Sequence, residues 1–238
     1  MRARVRTALE RENDARRTPP ESHRHRVPLG LAMLEQGWIS AGDLRRALEA
    51  QRAAGAGRLG QWLVRNGSAS EAMVARGLGL QWNCPVLSPD AGDPQLLTAA
   101  LPRLFVDALG ALPLRIAAGR ILYLGFEERL DAVLALALER MLGLRVECGL
   151  LAEAGFRAAQ ERMLAAAFPP VELIEAASFS ALGRVLSQAI ERARCADARL
   201  VRVHDFFWLR LWRRRPSTGV PRLADVSDLI CTVGGAGA

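Results

Sequence analysis

Glutamine and glycine recur at fixed places in the first third of this chain, and with the arginine that opens the second copy they can grip a flat, anionic ligand. Gln51 and Gln81 lie 30 residues apart, as do Gly30 and Gly60. Leu29 and Leu59 precede the glycines, and Arg58 precedes Leu59. Leu44 and Leu48 in the first copy answer to Val74 and Leu78 in the second. A leucine face that only closed a core would continue with an apolar residue, yet both copies end it with Gln. Aliphatic side chains can cover the π-faces of a base, and glycine lets a phosphate or ribose come close to the backbone. The Arg58 guanidinium can fork onto guanine O6 and N7 or onto phosphate. Two such half-sites suit a ligand with two bases. The structural alternative is that the same Leu, Gly and Gln merely build two packed hairpins.

The repeat that must position these groups runs over residues 28–51 and 58–81 without a gap. Leu34/Val64, Gly37/Gly67 and Ser40/Ser70 complete the matched pairs, and a fixed period is a strong organising signal. Each copy reads as two short helices. Leu29, Met33 and Leu34 have helical spacing, and Gly37 stands where a helix ends on a left-handed residue. Ser40 is an expected N-cap, with Asp43 three residues on completing a capping box. Leu44, Ala47, Leu48 and Gln51 then share one helix face. Gly67, Ser70 and Glu71 repeat the stop and start in the second copy.

The tandem pattern resembles that of MshEN-type domains, the N-terminal domains of type II secretion and type IV pilus assembly ATPases. It runs Arg-Leu-Gly, two aliphatics, Gly, two aliphatics, then Leu, Leu and Gln at set intervals, and both copies carry it. The resemblance continues through Leu101-Pro102, residues 111–114, 120–124 and 143–146, so that residues 28–165 are covered. It implies binding of cyclic di-GMP along both motifs, by Leu29, Gly30, Leu44, Leu48, Gln51, Arg58, Leu59, Gly60, Val74, Leu78 and Gln81. This chain departs from the pattern at Pro28, which replaces the first Arg. Met33 and Trp38 replace smaller aliphatics, and Ser68-Ala69 replace an aliphatic pair. Trp38 can reshape the site or add a stacking face.

Composition frames the rest. Half of the 238 residues are hydrophobic but only 5% are aromatic, so the core must be mostly Leu, Ala and Val, which leans helical. The formal charge of +7 permits anionic partners such as a dinucleotide or lipid head groups, with no specific nucleic acid implied. All of the basic charge is Arg, and without a Lys there is no Walker A loop. No apolar run reaches the roughly 18 residues that span a bilayer, and no secretory signal is expected at the start. Cys84, Cys148, Cys195 and Cys231 are scattered with no metal-ligand spacing, so each is expected to be a small buried apolar residue in a reducing, cytoplasmic setting.

The expected fold class is α+β and helix-rich. Residues 1–26 read as a basic flexible arm, in which His23 and His25 make a poor metal site. Residues 27–88 form the tandem helical-hairpin subdomain, and turn signals near Pro89 and Pro94 close it. Residues 89–166 read as a small α/β subdomain: short helices broken at Pro102, a hairpin over residues 111–125, and a helix over residues 130–142. The apolar run of residues 132–138 is expected to bury that helix. A third strand and an amphipathic helix at residues 153–166 follow. Residues 167–215 read as a helix and a β-hairpin, with His204-Asp205 as a polar pair at its turn. Arg210 and Arg214 have the R-x-x-x-R spacing of PilZ-type dinucleotide binders, but the companion D/N-x-S-x-x-G motif is missing. Residues 216–238 read as a flexible tail.

No catalytic or metal-binding set emerges from this reading. Three functions remain open: a cyclic di-GMP receptor domain without a motor; a nucleotide-independent docking module for a membrane-associated secretion or envelope assembly partner; and the detached regulatory end of an envelope enzyme such as a glycosyltransferase. The expected setting is the cytoplasm, with the inner face of the inner membrane as one place for it there.

Overall fold

Four helices open the computed structural model, which describes residues 26–89, 92–216 and 219–234. Residues 1–25 of the expected arm, with His23 and His25, and the last residues of the expected tail lie outside the described residues. Helices α1 (Leu29–Glu35) and α2 (Ala41–Ala54) form the first copy, and α3 (Leu59–Arg65) and α4 (Glu71–Trp82) the second. Gly37 and Gly67, each with φ of +68°, turn the chain after the first helix of its copy. Ser40 accepts from the Asp43 amide at 3.1 Å while the Asp43 carboxylate accepts from the Ser40 amide at 2.9 Å, the expected capping box. Ser70 caps α4 through the Met73 amide.

The middle of the chain is an α/β unit. Short helices α5 (Pro94–Leu97) and α6 (Arg103–Ala108) flank Pro102. Strands β1 (Leu112–Ala117) and β2 (Ile121–Phe126) pair antiparallel through a turn in which Ala118 and Gly119 both have positive φ. Helix α7 (Ala132–Leu142) crosses over to β3 (Arg145–Leu150), parallel to β2, and α8 (Glu153–Ala165) follows. The segment after α4 lies along β3: Leu150 donates to the Pro85 carbonyl at 3.0 Å and accepts from Leu87 at 2.7 Å. Gly149 permits that approach, since a Cβ there would stand 2.7 Å from the Pro85 oxygen.

A second sheet ends the described chain. Strand β4 (Val171–Ala176), helix α9 (Phe179–Ala193), β5 (Asp197–Val203), β6 (Phe206–Trp212) and β7 (Val226–Val233) give the order β4-β7-β6-β5. One face, with Val203, Phe206, Trp208 and Ile230, joins the main core around β1–β3, α6 and α7. The other, with Leu209, Leu211, Leu229 and Cys231, is covered by Leu182, Leu186 and Ala189 of α9. Burial on both faces explains the near-continuous apolar reading of β6.

The α+β, helix-rich class holds, and two expectations change. Residues 216–238 are not all tail, because β7 forms the centre of the sheet beside β6 and β4. Its partner β4 also lies outside the expected helix and hairpin. The two pair in parallel across more than 50 residues of chain, and no local pattern shows such a pairing. Helix α7 is covered by β3 and β5 on one side only, so Leu134, Ala137, Leu138 and Met141 are buried while Val133 and Leu136 remain exposed. Seven consecutive apolar residues go all the way round a helix of 3.6 residues per turn, and one covered side cannot bury them all.

Candidate functional site

The core of the helical module is Met33, Ile39, Ala47 and Leu63, each at most 5% exposed, and Met33 and Leu63 are a repeat-related pair. Leu29, Leu44, Leu48, Leu59, Val74 and Leu78 are all only half-buried. The repeat therefore supplies both the interior, through Met33 and Leu63, and a half-buried surface, through Leu29/Leu59, Leu44/Val74 and Leu48/Leu78.

Gly30 and Gly60 are buried, and their missing side chains let helices meet. A Cβ at Gly30 would lie 2.5 Å from Leu44 Cδ1 and 3.0 Å from Leu59 Cδ2; at Gly60 it would lie 2.7 Å from Val74 Cγ1. The equivalent contact thus occurs in both copies, and the space over each glycine is filled by the chain's own aliphatics.

The glutamines form a reciprocal clasp. Gln51 Nε2 donates to the Gly57 carbonyl at 2.8 Å, and Gln81 Nε2 donates to the Val27 carbonyl at 3.0 Å. Gly57 and Val27 are themselves 30 residues apart, each one residue ahead of its motif. The end of each copy thus fastens the start of the other, which relates the copies as the two halves of a pseudo-two-fold. Only the spacing of Gln51 and Gln81 was a sequence signal for this; their carbonyl partners carry none.

Of the clefts that adjoin the second motif, two contain expected ligand residues. The smaller, of about 240 Å³, is walled by Leu29, Leu59, Gly60, Val64, Val74 and Leu78, with Arg58 at its edge and Glu71, Glu127, Glu128 and Glu153 around it. The larger, of about 610 Å³, lies between the helical module and the α/β unit and contains Arg58, Leu78, Gln81, Trp82, Asp131 and His204. Six of the eleven expected ligand residues, Leu29, Arg58, Leu59, Gly60, Val74 and Leu78, line the smaller cleft. Leu44 reaches it only through its contact over Gly30, and Leu48 and Gln51 line neither cleft.

Arg58 serves both clefts and is engaged by acids. Its guanidinium is ion-paired with Glu128, and Glu127 stands 3.8 Å away. Both glutamates sit on the connection from β2 to α7 and escape sequence reasoning, because nothing local ties them to the repeat. Glu71 also joins the units: its carboxylate accepts from the Ala154 amide in the first turn of α8 at 2.8 Å. Two residues before Pro28, Arg26 lines the larger cleft, its guanidinium 3.7 Å from the centre of the Trp82 ring. Trp38 lies outside both clefts, with the Arg76 guanidinium 4.9 Å from its ring, and Met33 is core.

His204 makes a different contact from the one expected. Its Nε2 lies 3.0 and 3.1 Å from the Asp131 carboxylate oxygens, while Asp205 is exposed and pairs with Arg202. Asp131 also caps α7 by accepting from the Leu134 amide at 3.0 Å, so the β5–β6 turn is tied to the α/β unit. The nearby Cys148 thiol is not activated as a nucleophile: burial first, and then the Asp131 charge, push it up to about 12. Arg210 is not a surface arginine, for its side chain is wholly buried against Asp228. Among the described residues no group of His, Cys, Asp and Glu is placed to hold a metal ion, and no helix is long and apolar enough to cross a membrane.

No family model and no curated protein matches this chain. Among solved structures it is similar to MshE with cdg, at 26% identity and a TM-score of 0.46, over 58% of this chain and 99% of that one. It is also similar to the N-terminal domain of XpsE, at 23% identity and a TM-score of 0.40, over 61% of this chain and 98% of that one. Both are of the kind that the tandem motif resembles, the MshEN or secretion-ATPase N-terminal type of domain.

Proposed function

We propose that this protein is a non-catalytic receptor domain that binds cyclic di-GMP on its tandem helical module, as a regulatory relative of secretion-ATPase N-terminal domains without the motor. One observation carries the reading: three repeat-related aliphatic pairs, Leu29/Leu59, Leu44/Val74 and Leu48/Leu78, are only half-buried, while the core is closed by Met33, Ile39, Ala47 and Leu63. Repetition imposed by packing alone would bury these pairs as it buries Met33 and Leu63. The pseudo-two-fold set by Gln51 and Gln81 matches a ligand with two equivalent halves. Arg58 supplies the cation for phosphate or for the guanine edge. The domain works in the cytoplasm, at the inner face of the inner membrane, where it reports dinucleotide concentration to an assembly partner.

Calorimetric titration with cyclic di-GMP tests this, with GMP and cyclic di-AMP as controls. Micromolar or tighter binding selective for the guanine dinucleotide is expected, and it is lost when Arg58→Ala and Gln81→Ala are combined. Binding unchanged in that double variant removes the tandem surface as the site. A second reading is favoured by the cation at Pro28 being absent and the one at Arg58 being already paired: a docking module for a membrane-associated secretion or envelope partner. That reading expects partner capture that does not respond to nucleotide.

A further inference from the structure

We infer that Glu128, assisted by Glu127, is an internal competitor for the anion site at Arg58, so that ligand enters only by displacing it. This rests on the receptor reading and specifies how that site is held closed. Arg58 is the cation at which the two clefts meet, and Glu127 and Glu128 line both. The ion pair between Arg58 and Glu128 puts a carboxylate where a phosphate would sit, since both offer two oxygens to the same guanidinium fork. With side chains 38% and 37% exposed, the pair is open to water on both sides and can exchange, unlike a sealed one. The connection that carries Glu128 runs directly into Asp131, which His204 grips. The competing carboxylate is therefore attached to a fixed point, and it returns to Arg58 at high effective concentration once ligand leaves.

The charge around the smaller cleft points the same way. Glu71, Glu127, Glu128 and Glu153 surround one arginine, so a dinucleotide with two phosphates meets net repulsion until Arg58 is released. Glu71 is occupied by the Ala154 amide of α8 and Glu153 is paired with Arg157, which leaves Glu127 and Glu128 as the acids that contact Arg58. This predicts an effect opposite in sign to that of an ordinary site mutation. Removing a side chain from the site strengthens binding.

The test compares cyclic di-GMP affinity in the full chain and in the variants Glu128→Gln and Glu153→Gln. Glu128→Gln is expected to tighten binding about fivefold, the size of a half-exposed ion pair. Glu153→Gln, which changes the field but not the contact, is expected to change it less than about twofold in physiological salt. Unchanged or weaker binding in Glu128→Gln overturns the inference and makes Glu128 an orienting partner of Arg58. Equal gains in both variants overturn it in favour of a general charge effect. Should neither the parent nor any variant take up nucleotide, the receptor reading falls. The guanidinium resonance of Arg58, identified by its loss in Arg58→Lys, then decides the contact alone. A shift of that resonance in Glu128→Gln but not in Glu153→Gln supports the internal ion pair, and identical spectra refute it.

Discussion

Arg58 and Arg210 are both paired with acids, in the helical module and in the second sheet, and they do opposite work. Arg210 is wholly buried, with Nε and a terminal nitrogen each 2.8 Å from the two oxygens of Asp228. Its other terminal nitrogen donates to the Ala99 and Ala100 carbonyls, and Trp208 donates to Asp228 at 2.7 Å. Because Arg210 and Asp228 face each other across β6 and β7, the pair locks strand register while it pins residues 99–100 of the α/β unit to the sheet. Arg58 has over a third of its side chain in water and acids on a loop. A sealed, fully bonded arginine fastens, whereas a half-exposed one with a replaceable partner can be offered to a ligand.

The largest effect that can break this contrast is on stability. Arg210→Ala leaves Asp228 buried and unpaired, at an expected cost of about 3–5 kcal/mol. Arg210→Lys should not restore it, since an ammonium cannot fork onto both carboxylate oxygens while reaching two carbonyls. Arg58→Ala should cost under about 1 kcal/mol, as exposed pairs do, and act on ligand affinity instead. Denaturant unfolding of the three variants measures this. Equal losses for Arg58→Ala and Arg210→Ala would erase the distinction between a fastener and a binding group.

Spacing alone does not separate these two arginines. Arg210 and Arg214 stand four apart, as the arginines of a surface binding motif do, yet only Arg214 is exposed. What betrays Arg210 is its place in β6, between Leu209 and Leu211 in a strand with both faces covered. The helical module is far more legible, because its signals are local: Gly37 ends a helix, Ser40 starts the next, and the 30-residue offset doubles every observation. The hairpin of β1 and β2 is readable for the same reason, through the turn at Ala118-Gly119. Strands β4 and β7 are opaque because their pairing closes a long loop. At the candidate site, the repeat carries Arg58 and the aliphatic wall, but Glu127, Glu128 and the His204–Asp131 contact arise from chain segments remote from the repeat.

The glycines of the module give a smaller effect that sharpens the contrast, since here aliphatics, not charges, fix the geometry. Gly30→Ala is expected to destabilise by about 1–3 kcal/mol through overpacking against Leu44 and Leu59. Adding Leu44→Ala should make the double variant less unstable than the two separate losses summed, as contacting residues couple. Additive losses would mean that Leu44 gives way freely and the close approach is not what Gly30 is for. Nothing in the second sheet should respond, so thermal unfolding followed near Trp208 and Trp212 would change only as the whole chain does.

The smallest expected effect separates the two copies of the module from each other. Ser40 and Asp43 satisfy each other's amides at the start of α2, whereas Ser70 faces Met73 and has no carboxylate to return the bond. The Ser40 hydroxyl, then its amide, holds the Asp43 carboxyl below its ordinary value of 3.8. A carboxyl whose value is lowered by folding stabilises the fold fully above the unfolded value. That contribution is lost as pH falls below 3.8 through the lower folded value. Asp43→Asn should therefore flatten part of the acid limb of the stability profile and leave neutral stability nearly unchanged, since asparagine can still accept the Ser40 bond. Ser40→Ala should cost about 1 kcal/mol, and Ser70→Ala a similar amount with no change in the acid limb. An acid limb that moves equally in Ser40→Ala and Ser70→Ala would show that the carboxylate, the one feature distinguishing these two caps, does not titrate with folding.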